Sequence, residues 1–228
     1  MSNPGKYTII VAGGSGQRMG SKIPKQFLLI KGRPILMYTI EAFHQYLPVM
    51  PLTLVLPSQH IEAWKGLCSN YKFNLPVTLC AGGRSRFQSV KNGLATLPEK
   101  GLVAIHDGVR PLVDTETIER SFISASQYQS GVTTIPVKNS IREVFAGGSS
   151  GSKSLDRSNY RMVQTPQTFD LAMLKKAYDT EEQTVFTDDA SVWESAGNQV
   201  NLVEGSENNL KITTVQDLVI AEMLLNFK

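Results

Sequence analysis

The chain has 228 residues, of which 41% are hydrophobic, so it can bury one core, and its length favours a single domain over residues 1–228. Its formal net charge is only +3 and its basic residues are scattered, which argues against a nucleic-acid partner. Cys68 and Cys80 do not make a disulfide scaffold and, with no secretory signal, favour a reducing cytoplasmic location. The most apolar stretch, LPVMPLTLVLP, is shorter than the roughly 20 residues of a membrane span, so no membrane insertion is expected.

Short runs rich in β-branched residues alternate with stretches of helical periodicity along the whole chain. The predicted strands cover residues 7–12, 52–56, 77–80, 102–106, 132–135 and 200–203. One predicted helix begins near Pro34, and two more cover residues 86–97 and 116–128. The last predicted helix begins at a capping box formed by Thr214 and Asp217. In that last helix, a core-facing stripe is expected at 218, 221 and 223–225. This alternation predicts an α/β fold with a mostly parallel sheet, whose ligands bind beyond the carboxyl ends of the strands.

A glycine-rich turn, VAGGSGQRMGSKIPKQF, directly follows the first predicted strand. Its glycines let backbone N–H groups approach an anion, and Arg18, Lys22 and Lys25 supply positive charge, so the turn is typical of a polyphosphate site. The glycine spacing fits neither the dinucleotide fingerprint nor the Walker A loop. The alternative is an ordinary strand-to-helix turn with solvated bases.

Three more polar clusters follow predicted strands: AGGRSRFQS, HDGVRP and GSENNLKIT. In the first, Gly83 permits close backbone approach and Ser89 is a candidate reader of a base edge, although a plain loop with solvated Arg84 and Arg86 is the alternative. In the second, Asp107 ends a buried strand, where a carboxylate beside phosphates indicates Mg²⁺. The alternative for Asp107 is a helix cap or a pair with Arg110. His106, by contrast, is expected to be a structural group.

The segment 137–163 breaks the alternation, because a Gly/Ser tip separates two flanks that resemble strands. Ile141, Val144 and Phe145 supply strand formers on one side, and a second set lies on the other side, at Tyr160, Met162 and Val163. These patterns predict a projecting β-hairpin arm rather than a disordered linker. A projecting arm usually packs on something, and the simplest partner is a second subunit in a homodimer.

Seven motifs in this order resemble the cytidylyltransferases of the isoprenoid pathway. They are AGGSGQRMG with IPKQF, AGGRSRFQSV, HDGVRP, PVKNSIRE, VQTPQTF, TDDAS and VEGSENNLKIT. The resemblance implies a Rossmann-like nucleotidyltransferase fold and transfer of the cytidylyl group of CTP to 2-C-methyl-D-erythritol 4-phosphate. The products would be pyrophosphate and 4-diphosphocytidyl-2-C-methyl-D-erythritol. Both substrates come from the resemblance, whereas the phosphate site and the metal carboxylate also follow from the residues themselves.

The resemblance also assigns a role to each matching position. The nucleotide would be held by Ala12, Gly13, Gly14, Gly16, Gly83 and Ser89. The catalytic charges would be Arg18, Lys25 and Lys211, with Asp107 beside Mg²⁺. The acceptor pocket would be lined by Arg110, Thr165, Thr187 and Lys211, with Ser140 and Arg157 entering from the partner's arm and Glu207 near it. The chain departs from the commonest family pattern at Gly13, Arg84, Ser140 and Glu207.

Two other functions compete with this one. A ribitol 5-phosphate cytidylyltransferase shares the fold and most motifs and differs in its acceptor. A non-catalytic nucleotide-binding protein of the same fold is the second alternative. The presence of Arg18, Lys25, Asp107 and Lys211 argues against a loss of catalysis, and the segments RFQSVKNGL and LDRSNYRMVQTPQTF favour methylerythritol phosphate.

Overall fold

The computed structural model describes residues 4–13, 23–145 and 151–226. Its strands are β1 (Lys6–Val11), β2 (Leu29–Ile30), β3 (Arg33–Pro34), β4 (Leu52–Leu56), β5 (Thr78–Ala81), β6 (Leu102–Asp107), β7 (Ser130–Pro136), β8 (Ile141–Val144), β9 (Ser152–Leu155), β10 (Arg161–Asp170) and β11 (Leu202–Glu204). Its α-helices are α1 (Ile35–Tyr46), α2 (Ile61–Asn70), α3 (Arg86–Ala95), α4 (Thr115–Tyr128), α5 (Leu171–Ala177), α6 (Asp189–Ser195) and α7 (Val215–Leu224).

Seven strands form the central sheet in the order β11-β7-β10-β6-β1-β4-β5. All its neighbouring strands are parallel except that β10 runs antiparallel to both β6 and β7. Every residue of β4 and β6 is buried, as expected for parallel strands that are covered on both faces. The predicted α/β class with a mostly parallel sheet is confirmed.

Helices cover both faces of this sheet. On one face, α1, α2 and α4 contribute Phe43, Trp64 and Phe122 to one buried apolar cluster. On the other face, α3, α5 and α6 contribute side chains such as Leu94 and Trp193 to a second cluster. The helices thus fix the sheet from both faces, and the loops that follow the carboxyl ends of its strands can form a site.

The predicted ends of the elements differ from the observed ones in detail. The capping box of α7 is present, since Asp217 N donates to Thr214 Oγ1 at 3.2 Å and Thr214 N donates to Asp217 Oδ2 at 2.8 Å. The stripe predicted on α7 is wrong at Met223, which is 58% exposed, because the helix lies at the surface and buries Ala221 fully. In the described residues, no helix is long and apolar enough to cross a membrane.

The arm is built differently from the prediction. Its hairpin pairs β8 with β9, so that Ile141 faces Leu155. The second predicted flank is wrong, because Met162 and Val163 belong to β10 and pair with β7 instead. The β7–β10 ladder therefore extends the central sheet outward, and the hairpin lies beyond its end.

Candidate active site

The carboxyl ends of β1 and β6 lie side by side, with Val11 opposite Asp107 in the parallel ladder. Gly108 N donates to Val11 O at 2.9 Å, and a Cβ on Gly108 would lie 2.9 Å from the Cβ of Ala12. Only glycine permits this approach, so Ala12 and Gly13, where the glycine-rich turn begins, adjoin Asp107. Gly14, Gly16, Arg18 and Lys22 lie outside the described residues.

Three cationic side chains surround the carboxylate of Asp107. Lys211 Nζ lies 3.0 Å and Arg110 Nε 3.3 Å from Oδ2, while Arg86 Nε lies 3.9 Å from Oδ1. Burial alone would raise the pKa of this carboxyl group, but the charges of Lys211, Arg86 and Arg110 hold the pKa well below its usual range. Asp107 is therefore ionised and does pair with Arg110, which was the alternative expected for it.

Arg110 is itself held in place by burial and by a hydrogen bond to the loop that follows β11. It is only 8% exposed, and its NH1 group donates to Asn209 O at 2.8 Å. Burial lowers the pKa of Arg110, and the charge of Asp107 opposes that effect. Lys211 comes from the loop that follows β11, and 44% of its side chain is exposed, so its ammonium reaches Asp107 from the solvent side.

His106 is fully buried, and burial lowers its pKa to about 4, so its ring is neutral. Its Nε2 faces the carbonyl oxygen of Arg110 at 3.2 Å, and because a carbonyl only accepts, Nε2 carries the proton. Nδ1 then accepts from the hydroxyl of Thr165 at 3.0 Å, and that hydroxyl accepts from Asp107 N at 3.1 Å. As expected, His106 is a structural group, and it fixes the end of β6.

A cavity of about 260 Å³ opens above Asp107. It is lined by Arg86, Asp107, Arg110, Val163, Gln164, Thr165, Gln167, Thr187, Asp188 and Lys211. The structure thus brings together five predicted site residues, namely Asp107, Arg110, Thr165, Thr187 and Lys211. Between Val163 and Gln167 the register of β10 shifts, and this bulge turns Gln164 and Thr165 towards the cavity.

Sequence reasoning missed Arg86, which was assigned no role at the site and was considered only in the alternative of a plain loop with solvated bases. Its guanidinium donates two hydrogen bonds to the fully buried Asp189, at 3.0 and 2.5 Å, and Tyr178 donates to the same carboxylate at 2.7 Å. Burial opposes the charge of Arg86, but Asp189 and Asp107 outweigh it and raise the pKa. No spacing in the sequence links residues 86 and 189, so only the fold reveals this pair.

The loop before α3 lies next to the end of β5 and is held by serines. Ser85 caps the helix by accepting from Gln88 N at 3.0 Å. Ser89 is buried, donates its hydroxyl proton to Ser85 O at 2.7 Å, and accepts from Gly83 N at 3.1 Å. The hydroxyl of Ser89 thus shapes the loop, and reading a base edge remains a prediction for it.

Eight of the predicted site residues that the structure describes do not line this cavity, namely Ala12, Gly13, Lys25, Gly83, Ser89, Ser140, Arg157 and Glu207. Lys25 begins a 3₁₀ turn, Lys25–Phe27, and is partly buried. Ser140, Arg157 and Glu207 are exposed. Arg157 donates to Lys138 O, and the ammonium of Lys138 pairs with Glu207. These three residues therefore gather at the root of the arm, outside the cavity of their own chain.

The cavity offers a magnesium ion two carboxylates, Asp107 and Asp188, and the described part of the chain has no group of three or more His, Cys, Asp or Glu side chains able to hold a metal. Asp188 already accepts from Ser191 N and Gln167 Nε2, so Asp107 is the candidate ligand. The shortest contacts of Lys211 and Arg110 both go to Asp107 Oδ2. Oδ1, with Arg86 at 3.9 Å, is thus the oxygen best placed for a metal. One carboxylate with phosphate oxygens is a usual ligand set for Mg²⁺.

The doubly wound sheet and the cationic cavity at its carboxyl edge define an α/β enzyme that acts on phosphate-bearing substrates. A family model described as 2-C-methyl-D-erythritol 4-phosphate cytidylyltransferase matches residues 7–227. The chain belongs to this family, and it is a nucleotidyltransferase. The predicted resemblance to the isoprenoid-pathway cytidylyltransferases is confirmed.

Individual relatives agree with the family. The enzyme of this name from Bacteroides fragilis is 48% identical over 220 residues, which cover 96% of this chain and 99% of the relative. The crystal structure of the enzyme of this name from Thermus thermophilus has a TM-score of 0.76 and 29% identity, covering 97% of this chain and 99% of that one. The 4-diphosphocytidyl-2C-methyl-D-erythritol synthase of Anaerococcus prevotii has the same fold, with a TM-score of 0.83 at 24% identity, over 98% of this chain and 99% of that one.

Proposed function

We propose that this chain transfers the cytidylyl group of CTP to 2-C-methyl-D-erythritol 4-phosphate, and that the cavity above Asp107 binds the acceptor. The observation that carries this proposal is the group of three cations around one buried carboxylate at the carboxyl edge of the sheet. Because the guanidinium of Arg86 is already paired with Asp189, Arg110 and Lys211 are the two cations of this group that are available to bind a phosphate. Thr165 and Thr187, which also line the cavity, offer hydroxyl groups to the acceptor.

The reaction needs positioning and charge more than a base. A phosphate oxygen of the acceptor forms a bond to the α-phosphorus of CTP, and the bond to the β-phosphate oxygen breaks, which releases pyrophosphate. The attacking oxygen is already anionic, so no group has to remove a proton. Lys211, Lys25 and Arg18 stabilise the negative charge that builds up on the phosphorus oxygens.

The nucleotide lies on the β1 side of Asp107 in this proposal. Ala12, Gly13, Gly14 and Gly16 bring backbone N–H groups to the triphosphate and sugar, and the loop of Gly83 and Ser89 faces the base. The proposal is supported by the common edge of the sheet at which β1, β5 and β6 end. Only glycine fits at position 83, because a Cβ there would collide with Gln88 at 2.1 Å, and Gly83 is itself exposed.

Magnesium is part of the proposed site. Asp107 would hold it together with phosphate oxygens of CTP, and the ion would neutralise part of the triphosphate charge. The low pKa of Asp107 supports this role, since the ligand is ionised without a metal.

The arm completes the neighbouring site in a homodimer. Ser140 and Arg157 reach the acceptor pocket of the partner, and Glu207 holds the root of the arm through Lys138. Exposed apolar side chains at the arm support a partner there: Val144, Tyr160, Met162 and Val163 are 42–67% exposed. The two free thiols, Cys68 and Cys80, suit the reducing cytoplasm, and no nucleic-acid partner is proposed.

The choice of acceptor is the direct test. The purified protein is incubated with CTP, Mg²⁺ and either 2-C-methyl-D-erythritol 4-phosphate or ribitol 5-phosphate, and pyrophosphate release is measured. We expect kcat/KM for methylerythritol phosphate to exceed that for ribitol phosphate by at least about 100-fold, because a pocket lined with polar groups rejects a polyol that leaves them unpaired. A preference for ribitol phosphate, or no pyrophosphate with either acceptor, would contradict the proposal.

A further inference from the structure

The loop that carries Lys211 into the cavity is anchored on both sides of that residue. After it, Ile212 is fully buried and its N–H donates to Val109 O at 2.9 Å. Before it, Asn209 is also fully buried, and its N–H donates to Ser206 O at 3.0 Å. The side chain of Asn209 lies beneath the cavity and belongs to none of the groups assigned above to a substrate.

The amide of Asn209 ties this loop to β10. Its Nδ2 donates to Thr165 O at 2.7 Å and to Gln164 Oε1 at 3.3 Å. Both orientations are forced, because the carbonyls of Thr165 and Ser206 can only accept. Gln164 Nε2 donates to Ser206 O at 2.9 Å, so the other end of this side-chain amide, Gln164 Oε1, faces Asn209.

The other end of the same amide has no partner. Asn209 Oδ1 is buried and makes no hydrogen bond to any residue within 4–13, 23–145 or 151–226. An unpaired buried acceptor destabilises a folded protein, so asparagine is a costly choice if the position only fills space. What asparagine provides here, and an apolar residue would not, is the pair of hydrogen bonds donated to Thr165 O and Gln164 Oε1.

We propose that Asn209 is a positioning residue for the acceptor phosphate, an inference that rests on the function proposed above. Its amide fixes the loop against β10 at Thr165 and Gln164. Two consequences follow for the cations of the cavity: Asn209 O receives Arg110 NH1 at 2.8 Å, and Lys211, two residues later, reaches Asp107 at 3.0 Å. Asn209 thereby fixes the loop that accepts from Arg110 and that carries Lys211 to Asp107.

The variant Asn209→Leu keeps the branched shape of the side chain at a somewhat larger volume and removes both donated hydrogen bonds. We expect the KM for 2-C-methyl-D-erythritol 4-phosphate to rise about tenfold, while the KM for CTP changes by less than about twofold, since the hydrogen bonds of Asn209 within the described residues go to Arg110, Gln164, Thr165 and Ser206, none of which is assigned to the nucleotide. The matched control is Asn208→Leu, at an exposed neighbouring position, and it should leave both KM values unchanged. Where Asn209→Leu does not fold, Asn209→Ala gives the same comparison.

A double-mutant cycle separates positioning from a general loss of packing. Lys211→Ala alone should raise the KM for the acceptor. In that background, Asn209→Leu should raise the KM by no more than about threefold, because the ammonium that Asn209 positions is gone. A purely structural role would instead give the full effect in both backgrounds, together with an equal change in the KM for CTP.

The outcomes distinguish this inference from the function on which it rests. If Lys211→Ala impairs the acceptor KM and Asn209→Leu does not, the role of Asn209 is overturned and the proposed function stands. If the Asn209 effect is additive with that of Lys211→Ala, the positioning role is also overturned. If Lys211→Ala leaves the acceptor KM unchanged, the acceptor assignment fails and the inference fails with it.

Discussion

Asp107 and His106 are adjacent in the chain, but protonation affects them differently. The pKa of Asp107 is lowered, so its stabilising ion pairs are fully present above its unfolded pKa of about 4 and are lost only as the pH falls through the lower folded value. Asp107 therefore stays charged throughout the physiological range. His106, whose pKa is about 4 in the folded chain, instead affects stability at mildly acidic pH.

We expect His106 to make the protein less stable as the pH falls from 7.5 to 5. The unfolded histidine takes up a proton near its ordinary pKa of about 6.5, whereas the buried ring does so only near 4, so acid favours the unfolded state. With these two values the free energy of unfolding should drop by about 2 kcal/mol over this interval. Urea unfolding at a series of pH values measures the drop.

The variant His106→Asn should flatten this pH dependence, whatever its effect on stability at pH 7.5. The control is His44→Asn in α1, which lies outside the His106–Thr165–Arg110 hydrogen-bond chain and should keep the slope of the original protein. An unchanged slope in His106→Asn would show that His106 is not the group responsible.

At the residue scale, the sequence predicts side chains that sit at strand ends and cannot predict those joined across the fold. Asp107 and Lys211 were predictable, because Asp107 ends one strand and Lys211 lies in the loop that follows another. The carboxyl ends of parallel strands share one edge of the sheet. Arg86 and Asn209 were not, since their partners lie more than 40 positions away in the chain. What fixes them is the register shift in β10 and the fold that brings the start of α3 to the start of α6.

At the scale of elements, one ion pair joins two helices. Arg86 begins α3 and Asp189 begins α6, and Asp189 accepts from both Arg86 and Tyr178 while being fully buried. Asp189→Asn removes the nearest counter-charge of Arg86, whose side chain is 30% exposed, and leaves the guanidinium only the more distant Asp107. We expect a loss of about 2 kcal/mol in the free energy of unfolding, less than for a fully buried pair, measured by urea denaturation.

The matched control is an ion pair at the surface. Lys175 in α5 pairs with Glu99, whose side chain is 86% exposed, so Glu99→Gln should cost less than about 1 kcal/mol. Equal losses in the two variants would mean that the Arg86–Asp189 pair contributes no more than a solvated contact.

The elements themselves were largely predictable, because hydrophobic period and capping are local. The capping box at Thr214 and the buried runs of β4 and β6 are examples. The arm was predicted as a hairpin with the wrong second strand. Met162 and Val163 have strand-forming side chains, but they pair with β7 in a longer ladder instead of with the other flank of the arm, which no local pattern reveals.

At the scale of the whole molecule, one chain holds an incomplete set of the residues that the proposed site needs. The cavity has Arg110 and Lys211, whereas Arg157 is held at the arm root by Lys138 O, outside the cavity of its own chain. A symmetric dimer gives every site one arm from its neighbour. Lys25 and Arg157 of a given active site would then come from different subunits.

Mixed dimers test this arrangement. We expect Lys25→Ala, like Arg18→Ala, to fold normally and to lose at least about 100-fold in kcat, because each removes a charge that stabilises the transition state. Arg157→Ala should mainly raise the KM for the acceptor and leave CTP binding intact. When equal amounts of Lys25→Ala and Arg157→Ala subunits are unfolded together and reassembled, half of the dimers are mixed.

Each mixed dimer then contains one site with both Lys25 and Arg157 and one site with neither. Activity measured at an acceptor concentration that saturates the original protein but not Arg157→Ala should therefore return to about a quarter of the original value, one intact site in every four. Homodimers of either variant, assayed at the same total concentration, set the baseline. If Lys25 and Arg157 acted within one chain, no intact site would form on mixing, and activity would stay at the average of the two baselines.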